Sequence, residues 1–278
     1  MADEHGVQGE SEKDEDADIL PRFKGLPNIT EGVEDIHAHL LKRHVYLYPE
    51  DGTHKKWVAP QIMILFESGN VNQVIDAVVN DLKHPIGNGL IASILVQEPL
   101  RQTLIRRLRA RMELMDERIP EHPNFLHTLK MIERMNCKTV YIEEFDVQDK
   151  QKLYGRMKPR SPIVVLDFPQ IYFGDKPSAI ITLNTFRNLN EAIRLCYREG
   201  LSFETVSVWT NKLTEGYDML SGLAKFPNFR FNCINVPFKA SAMVSVNNHY
   251  HYEVLLVGGE LITIAFPMQY FVYGSNIK

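Results

Sequence analysis

The residues of this chain able to do chemistry are few and scattered. His37 and His39 stand two apart in "VEDIHAHLL", a spacing at which both imidazoles reach one metal ion only from a β-strand. Helix-forming residues follow them, and on a helix the two rings point about 200° apart, so a solvated helix and no metal is expected. His249 and His251 in "HYHY" share a face if that run is a strand, which suits a surface or interface better than a two-ligand metal site. Gly87, Asn88, Gly89 and Ala92 spell G-x-G-x-x-A. A dinucleotide cradle of that spelling must leave a strand and open a helix, whereas here a helical pattern precedes and a strand pattern follows. No cofactor site is expected there. Cys137, Cys196 and Cys233 lie far apart with no C-x-x-C pair, the usage of reduced packing thiols rather than of a zinc ribbon or disulfide framework.

Charge narrows the partners. Residues 1–18 hold eight acids and one lysine, so this segment is expected to be a solvated, disordered tail over residues 1–27. Its net charge of -7 within an overall -4 leaves the body at +3, too nearly neutral to announce nucleic acid. The run "LRQTLIRRLRARMELM" repeats Leu100, Leu104, Leu108 and Met112 every four residues. It reads as an amphipathic helix whose arginines face solvent; no aromatics are interleaved for base stacking. No apolar run reaches the ~18 residues of a membrane span, and the N-terminus has neither the basic and apolar regions of a signal peptide nor an Arg-rich transit pattern. A cytoplasmic location is the expectation.

These side chains must be carried by a scaffold that the periodicity outlines. With 278 residues, 44% hydrophobic and 10% aromatic, the chain can bury a sizeable core, roughly 75% of its unfolded surface. After a helix starting near Thr30 or Glu31 and a short "VYLY" strand, strand-like runs alternate with helical ones. They include "APQIMILF", "NVNQVIDAVVNDLK" behind an Asn cap, "IASILVQ", the arginine helix, "PNFLHTLKMIERMN", "KTVYIEEF", "VQDKQKLYGRM" and "SPIVVLDF". "SAIITLNTF", "NLNEAIRLCYREG", "SFETVSVWT", "KLTEGYDMLSGLAKF" and "FRFNCINV" complete the series. Strands separated by helices of 10 to 15 residues imply an α/β fold, a mostly parallel sheet with helices on both faces. Near the C-terminus, two apolar runs meet at Gly258-Gly259, a dipeptide suited to the positive φ angles of a β-hairpin. One domain over residues 28–278 is expected.

Several runs together resemble the catalytic domain of the aldehyde dehydrogenase superfamily. "HPIGNGLIASILVQEPLRQTLIRRLRARM" is similar to the segment in which that family's nucleophilic cysteine precedes a strand ending V-Q-E and a helix. "APQIMILFESGNVNQVIDAVV" resembles its S-P-x-I-I run. "IYFGDKPSAIITLNTFRNLNEAIRLCYREGLSFETVSVWT" resembles its E-I-F-G-P to G-L-x-A-x-V-x-T run, and "FNCIN" its later V-N strand. The similarity covers about residues 28–240, and the hairpin is not matched. In this register Asn88 falls where the family has its cysteine, Ser93 where it has Arg, and Ile171 where it has the ribose-holding glutamate. Tyr48, with Glu50 the nearest carboxylate, falls where it has its general base. The resemblance also implies that the family's cofactor domain would precede residue 28. "VEDIHAHLL" separately resembles the D-x-H-x-H strand of metal-dependent amidohydrolases.

A carboxamide at position 88 offers no ionisable nucleophile, and acyl transfer through a thiohemiacetal needs an activated thiolate. Cys233 is the one thiol to consider as a substitute, but its apolar neighbours Phe231 and Ile234 predict a buried sulfur of raised pKa. The expected function is that of a pseudoenzyme: no catalytic, cofactor-binding or metal-binding residues, and a structural or regulatory role through a protein partner or through self-association by the C-terminal hairpin. A sheet face left open by the missing domain is expected to need cover. The alternatives are an NAD(P)-dependent aldehyde oxidoreductase, active alone or with a partner subunit, and a metal-dependent amidohydrolase using His37 and His39.

Overall fold

The computed structural model describes residues 57–143, 157–174, 176–236, 244–246 and 250–267. The acidic segment, the helix and strand expected before residue 50, His37, His39, Tyr48, Glu50, His249 and most of "VQDKQKLYGRM" lie outside the described residues. Aliphatic and β-branched runs form the strands. These are β1 (Gln61–Leu65), β2 (Ile91–Gln97), β3 (Lys138–Val140), β4 (Val164–Leu166), β5 (Ile181–Phe186), β6 (Thr205–Trp209), β7 (Asn228–Phe231), β8 (Val244–Val246), β9 (Tyr250–Val257) and β10 (Glu260–Pro267). Between them lie α1 (Val71–Lys83), α2 (Arg101–Arg111), α3 (Pro123–Arg134), α4 (Leu189–Arg198) and α5 (Leu213–Gly222). The α/β class is as the alternation predicts.

The strands form one sheet in the order β3-β4-β5-β2-β1-β6-β7-β10-β9-β8. All neighbours from β4 to β10 in this order run parallel, while β3, β9 and β8 are antiparallel to their neighbours. β1 and β6, at the centre, are buried along their whole length, as strands covered on both faces must be. One face packs Ile62, Ile64, Val206, Val208, Phe229 and Phe231 against α4 and α5. The other packs Met63, Leu65, Ile94 and Val96 against α1 and α2, and α3 closes a third cluster over Ile163, Val165 and Ile180.

Local chemistry starts and stops the elements. Asn70 caps α1, its side-chain oxygen accepting from the amides of Asn72 at 3.1 Å and Gln73 at 3.3 Å. In α2, Leu104 and Leu108 are fully buried, and its arginines do more than meet solvent. Arg107 donates to Asn72 and Arg111 pairs with Asp76, one turn apart on both helices. Arg101 grips Asp167 with two bonds, of 2.7 and 2.8 Å.

Two strands end earlier than their apolar runs predict, because an Asn or Asp takes a left-handed backbone. β4 stops before Asp167 at φ 65°, and β7 stops before Asn232 at φ 52°. Asn232 then uses its side chain as a substitute strand, accepting from the Thr210 amide at 2.9 Å and donating to the Thr210 carbonyl at 2.7 Å. Cys233 therefore lies after β7, not on it. The hairpin β9–β10 turns at Gly258 and Gly259, with φ 60° and 90°, as the dipeptide predicts.

After Asn232, Cys233 and Val236 pack with Tyr252 of β9 and Ala265 of β10 in a small cluster of their own. Asn228, Arg230 and Thr263 are buried as well.

Leu104→Ala should cost about 3 kcal/mol in urea unfolding, the usual loss for a fully buried leucine. Arg106→Ala, exposed on the same helix, should stay within about 0.5 kcal/mol of the parent.

Candidate functional site

The turn around Asn88 is built by pairing and not by reactive groups. Asn88 forms a parallel bridge with Val58, the Gly89 amide donates to the Val58 carbonyl at 2.8 Å, and the Gln61 amide to the Leu90 carbonyl at 2.9 Å. Gly89 sits at φ 61°, a conformation glycine adopts without strain. The Gln61 side chain holds the turn from inside, donating to the Gly89 carbonyl and, at 3.4 Å, to the Asn235 side chain. Its oxygen accepts from Arg230 at 2.8 Å, and Arg230 also donates to the Val236 carbonyl at 3.0 Å. The half-buried Asn88 thus stands on a strand-like turn following α1 and opening β2. The Gly87–Ala92 letters do not form a dinucleotide cradle.

Ser93 and Ile171 are brought together by a residue that sequence reasoning passed over. A register shift between Gln61 and Ile62 marks a bulge in the β1–β2 pairing, and Ser93 turns toward the end of α4. There the buried Glu199 accepts from the Ser93 hydroxyl at 3.1 Å and from the Gln170 amide at 2.7 Å. Burial raises the Glu199 carboxyl above its ordinary value, only partly opposed by the hydrogen bonds from Gln170 and Ser93. Ile171 lies on a 3-10 turn over Gly200, so close that a side chain at 200 would sit 2.2 Å from its Cδ1. Ser93 is wholly buried, so its hydroxyl faces Glu199 and not solvent. The signal that could have found Glu199 is its place: an acid at a helix C-terminus opposes the helix dipole and needs dedicated partners.

In an open parallel sheet, ligands bind beyond the carboxyl ends of the strands, at the point where successive connections leave in opposite directions. Here that point lies between β1, followed by α1 on one face, and β6, followed by α5 on the other. It is stitched shut. The Phe66 amide donates to the Trp209 carbonyl at 3.0 Å, the hydroxyls of Ser68 and Thr210 are 2.9 Å apart, and the Asn211 amide donates to Ser68 at 3.0 Å. Thr210 gives its own proton to Glu215 at 2.7 Å, so Ser68 is the donor between the two hydroxyls. Gly69 lies so close beneath Trp209 that a Cβ there would come within 2.5 Å of its carbonyl oxygen.

None of the three thiols is activated. Burial pushes Cys233 up to about 12, against a small opposing pull from Arg230, and its thiol donates to the Ala265 carbonyl at 3.5 Å. Burial, then the nearby Glu199 charge, pushes Cys196 up to about 12, and burial raises Cys137. His251 meets Glu253 at 2.9 Å, and the Tyr217 hydroxyl donates to the same carboxylate at 3.1 Å. These groups fasten the hairpin to α5, with the His251 ring 4.6 Å from Phe266. Among the described residues no three His, Cys, Asp or Glu side chains could hold a metal ion, and no helix is long and apolar enough to cross a membrane.

A family model described as "Protein of unknown function (DUF1487)" matches residues 56–272. No curated protein matches the chain. Among solved structures the chain is similar to a putative aldehyde dehydrogenase from Burkholderia cenocepacia, with 11% identity over 64% of this chain and 40% of that one, TM-score 0.48. It is similar to the Δ-pyrroline-5-carboxylate dehydrogenase of Mycobacterium tuberculosis, solved with NAD and cobalamin, with 13% identity over 64% and 35%, TM-score 0.46. It is also similar to an NAD-dependent aldehyde dehydrogenase from Sinorhizobium meliloti, with 16% identity over 65% and 38%, TM-score 0.45. The chain spans well under half the length of each of these proteins.

Because the folded Glu199 carboxyl holds its proton more tightly than the unfolded chain does, stability falls as pH rises from its ordinary value of 4.5 through the raised one. Glu199→Gln should flatten that part of the stability profile, measured by urea unfolding across the acidic to neutral range.

Proposed function

The chain belongs to the family described as "Protein of unknown function (DUF1487)", and we propose that it is a pseudoenzyme: a catalytically inactive, aldehyde dehydrogenase-like α/β protein that works by binding other proteins. The observation that carries this reading is the state of its sulfur chemistry. Nucleophilic catalysis on an aldehyde carbon needs a thiolate at neutral pH, yet Cys137, Cys196 and Cys233 are all held in the thiol form by burial. The turn that the sequence resemblance equates with the family's nucleophile carries a carboxamide, Asn88, on a paired backbone.

The binding surface we assign is the tip of the C-terminal hairpin. Leu256 on β9 and Leu261 on β10 are direct cross-strand partners, and they are 70% and 41% exposed. Two leucines side by side at the end of a ribbon cost free energy in water that a partner surface, or the same ribbon of a second copy, would recover. Three free cysteines suit action in a reducing compartment such as the cytoplasm.

Purified protein should show no aldehyde-dependent reduction of NAD or NADP above the rate without protein, and neither nucleotide should raise its melting temperature. Saturable turnover that responds to substitution of Asn88 would establish the oxidoreductase reading instead. If the hairpin tip mediates self-association, sedimentation velocity should show a concentration-dependent shift that Leu256→Glu with Leu261→Glu removes. A strict monomer would leave the tip to a different protein.

A further inference from the structure

The hairpin tip has a counterpart near the other end of the sheet. Between the segment 167–172 and the last turn of α4 lies a surface pocket of about 380 Å³, lined by Asp167, Phe168, Pro169, Ile171, Tyr172 and Arg198. Ile171 and Tyr172 are 51% and 55% exposed, and the half-buried Phe168 ring meets Tyr172 edge to face at 6.1 Å. Single exposed apolar side chains are ordinary, but several gathered in one concave patch mark a surface that a partner covers.

The walls of the pocket are held in place from within the chain. Ile171 is seated on Gly200, where a side chain would not fit. The Arg101 guanidinium holds the Asp167 carboxylate by two bonds, which neutralises the acid of the lining. Arg198 remains as its free charge, exposed and with no ion pair among the described residues.

The tip matches these features in kind and in sign. Leu256 and Leu261 lie side by side on one face of the ribbon. Successive residues of a strand point to opposite faces, so the exposed Glu260 projects from the other face, and it too has no ion pair among the described residues. A ribbon entering between the segment 167–172 and α4 sets its leucines against Ile171 and Tyr172 and its carboxylate toward Arg198.

The tip does not reach the pocket of its own chain. β4, which leads into the segment 167–172, and β10 stand six strand spacings apart in the sheet order, about 29 Å at the ~4.8 Å between paired strands. β9 and β10 are paired along their whole length, so the ribbon is not free to fold back.

We infer that the hairpin tip of one copy docks in the 167–172 pocket of a second copy, Leu256 and Leu261 on Ile171 and Tyr172, with Glu260 beside Arg198. The inference rests on the tip being a binding surface, as proposed above, and names what receives it. The contact joins two different surfaces, so one intact tip and one intact pocket suffice to form it.

Sedimentation velocity of the full chain at several concentrations tests this with variants of exposed side chains. Tyr172→Glu in the pocket should give a monomer at concentrations where the parent associates, and so should Leu256→Glu with Leu261→Glu at the tip. Mixed in equal amounts, these two monomeric proteins should associate again, because one keeps its tip and the other its pocket. Glu260→Arg and Arg198→Glu should each weaken association about fivefold, and combined in one chain they should restore it. A pocket variant that associates as the parent does, a mixture that stays monomeric, or a charge swap that restores nothing would overturn the inference while leaving the tip a binding surface. A strictly monomeric parent would overturn it as well. None of these results bears on aldehyde turnover, so the pseudoenzyme reading fails separately.

Discussion

A guanidinium inside a sheet face sets the terms for the rest of this structure. Arg230 is 6% exposed on β7, and a buried group with five fixed donors and a permanent charge is tolerated only where acceptors are brought to it. Gln61 and Val236 supply two of them. Each brings a further part of the fold with it. Gln61 carries β1 and the Gly89 carbonyl, hence the Asn88 turn. Val236, with Cys233, packs against Tyr252 and Ala265 of the hairpin strands. The same charge opposes the burial that raises the Glu204 carboxyl just before β6. One side chain thereby ties the turn where chemistry would be sought to the residues that pack on the hairpin strands.

That arrangement leaves the protein rich in buried polar bonds and poor in reactive groups. Inside, the Glu199 carboxylate accepts from both the Ser93 hydroxyl and the Gln170 amide. Ser68, Thr210, Glu215 and Asn232 bond with one another along the carboxyl edge, where an open parallel sheet would take a ligand. A site for catalysis keeps such groups poised and exposed to substrate; here they are consumed in holding strands and loops together.

Local pattern made much of this legible beforehand. The bounds of β2, the Asn70 cap of α1, the buried leucines of α2 and the Gly258-Gly259 hairpin all follow from spacing and residue type, because each depends on neighbours close in sequence. What stayed hidden depends on partners far along the chain. Nothing local says that Asn232 will stand in for a strand beside Thr210, 22 residues away. Nor does it say that a bulge will turn Ser93 toward Glu199, 106 residues on, or that Arg230 will reach Gln61 across 169 residues. The candidate site was legible as a set of letters, Asn88 and Ile171 among them, while the contacts that decide its chemistry were not.

In the pseudoenzyme we propose, no sulfur of the folded protein is poised to attack a carbonyl. The most direct measure is the rate of alkylation of each thiol by iodoacetamide at neutral pH, resolved residue by residue by peptide mass spectrometry. Cys196 and Cys233 should react only as fast as the protein unfolds, and Cys137 no faster than a free cysteine in an unstructured peptide. One thiol modified stoichiometrically in the folded state, ahead of that peptide standard, would show an activated sulfur and overturn the pseudoenzyme reading.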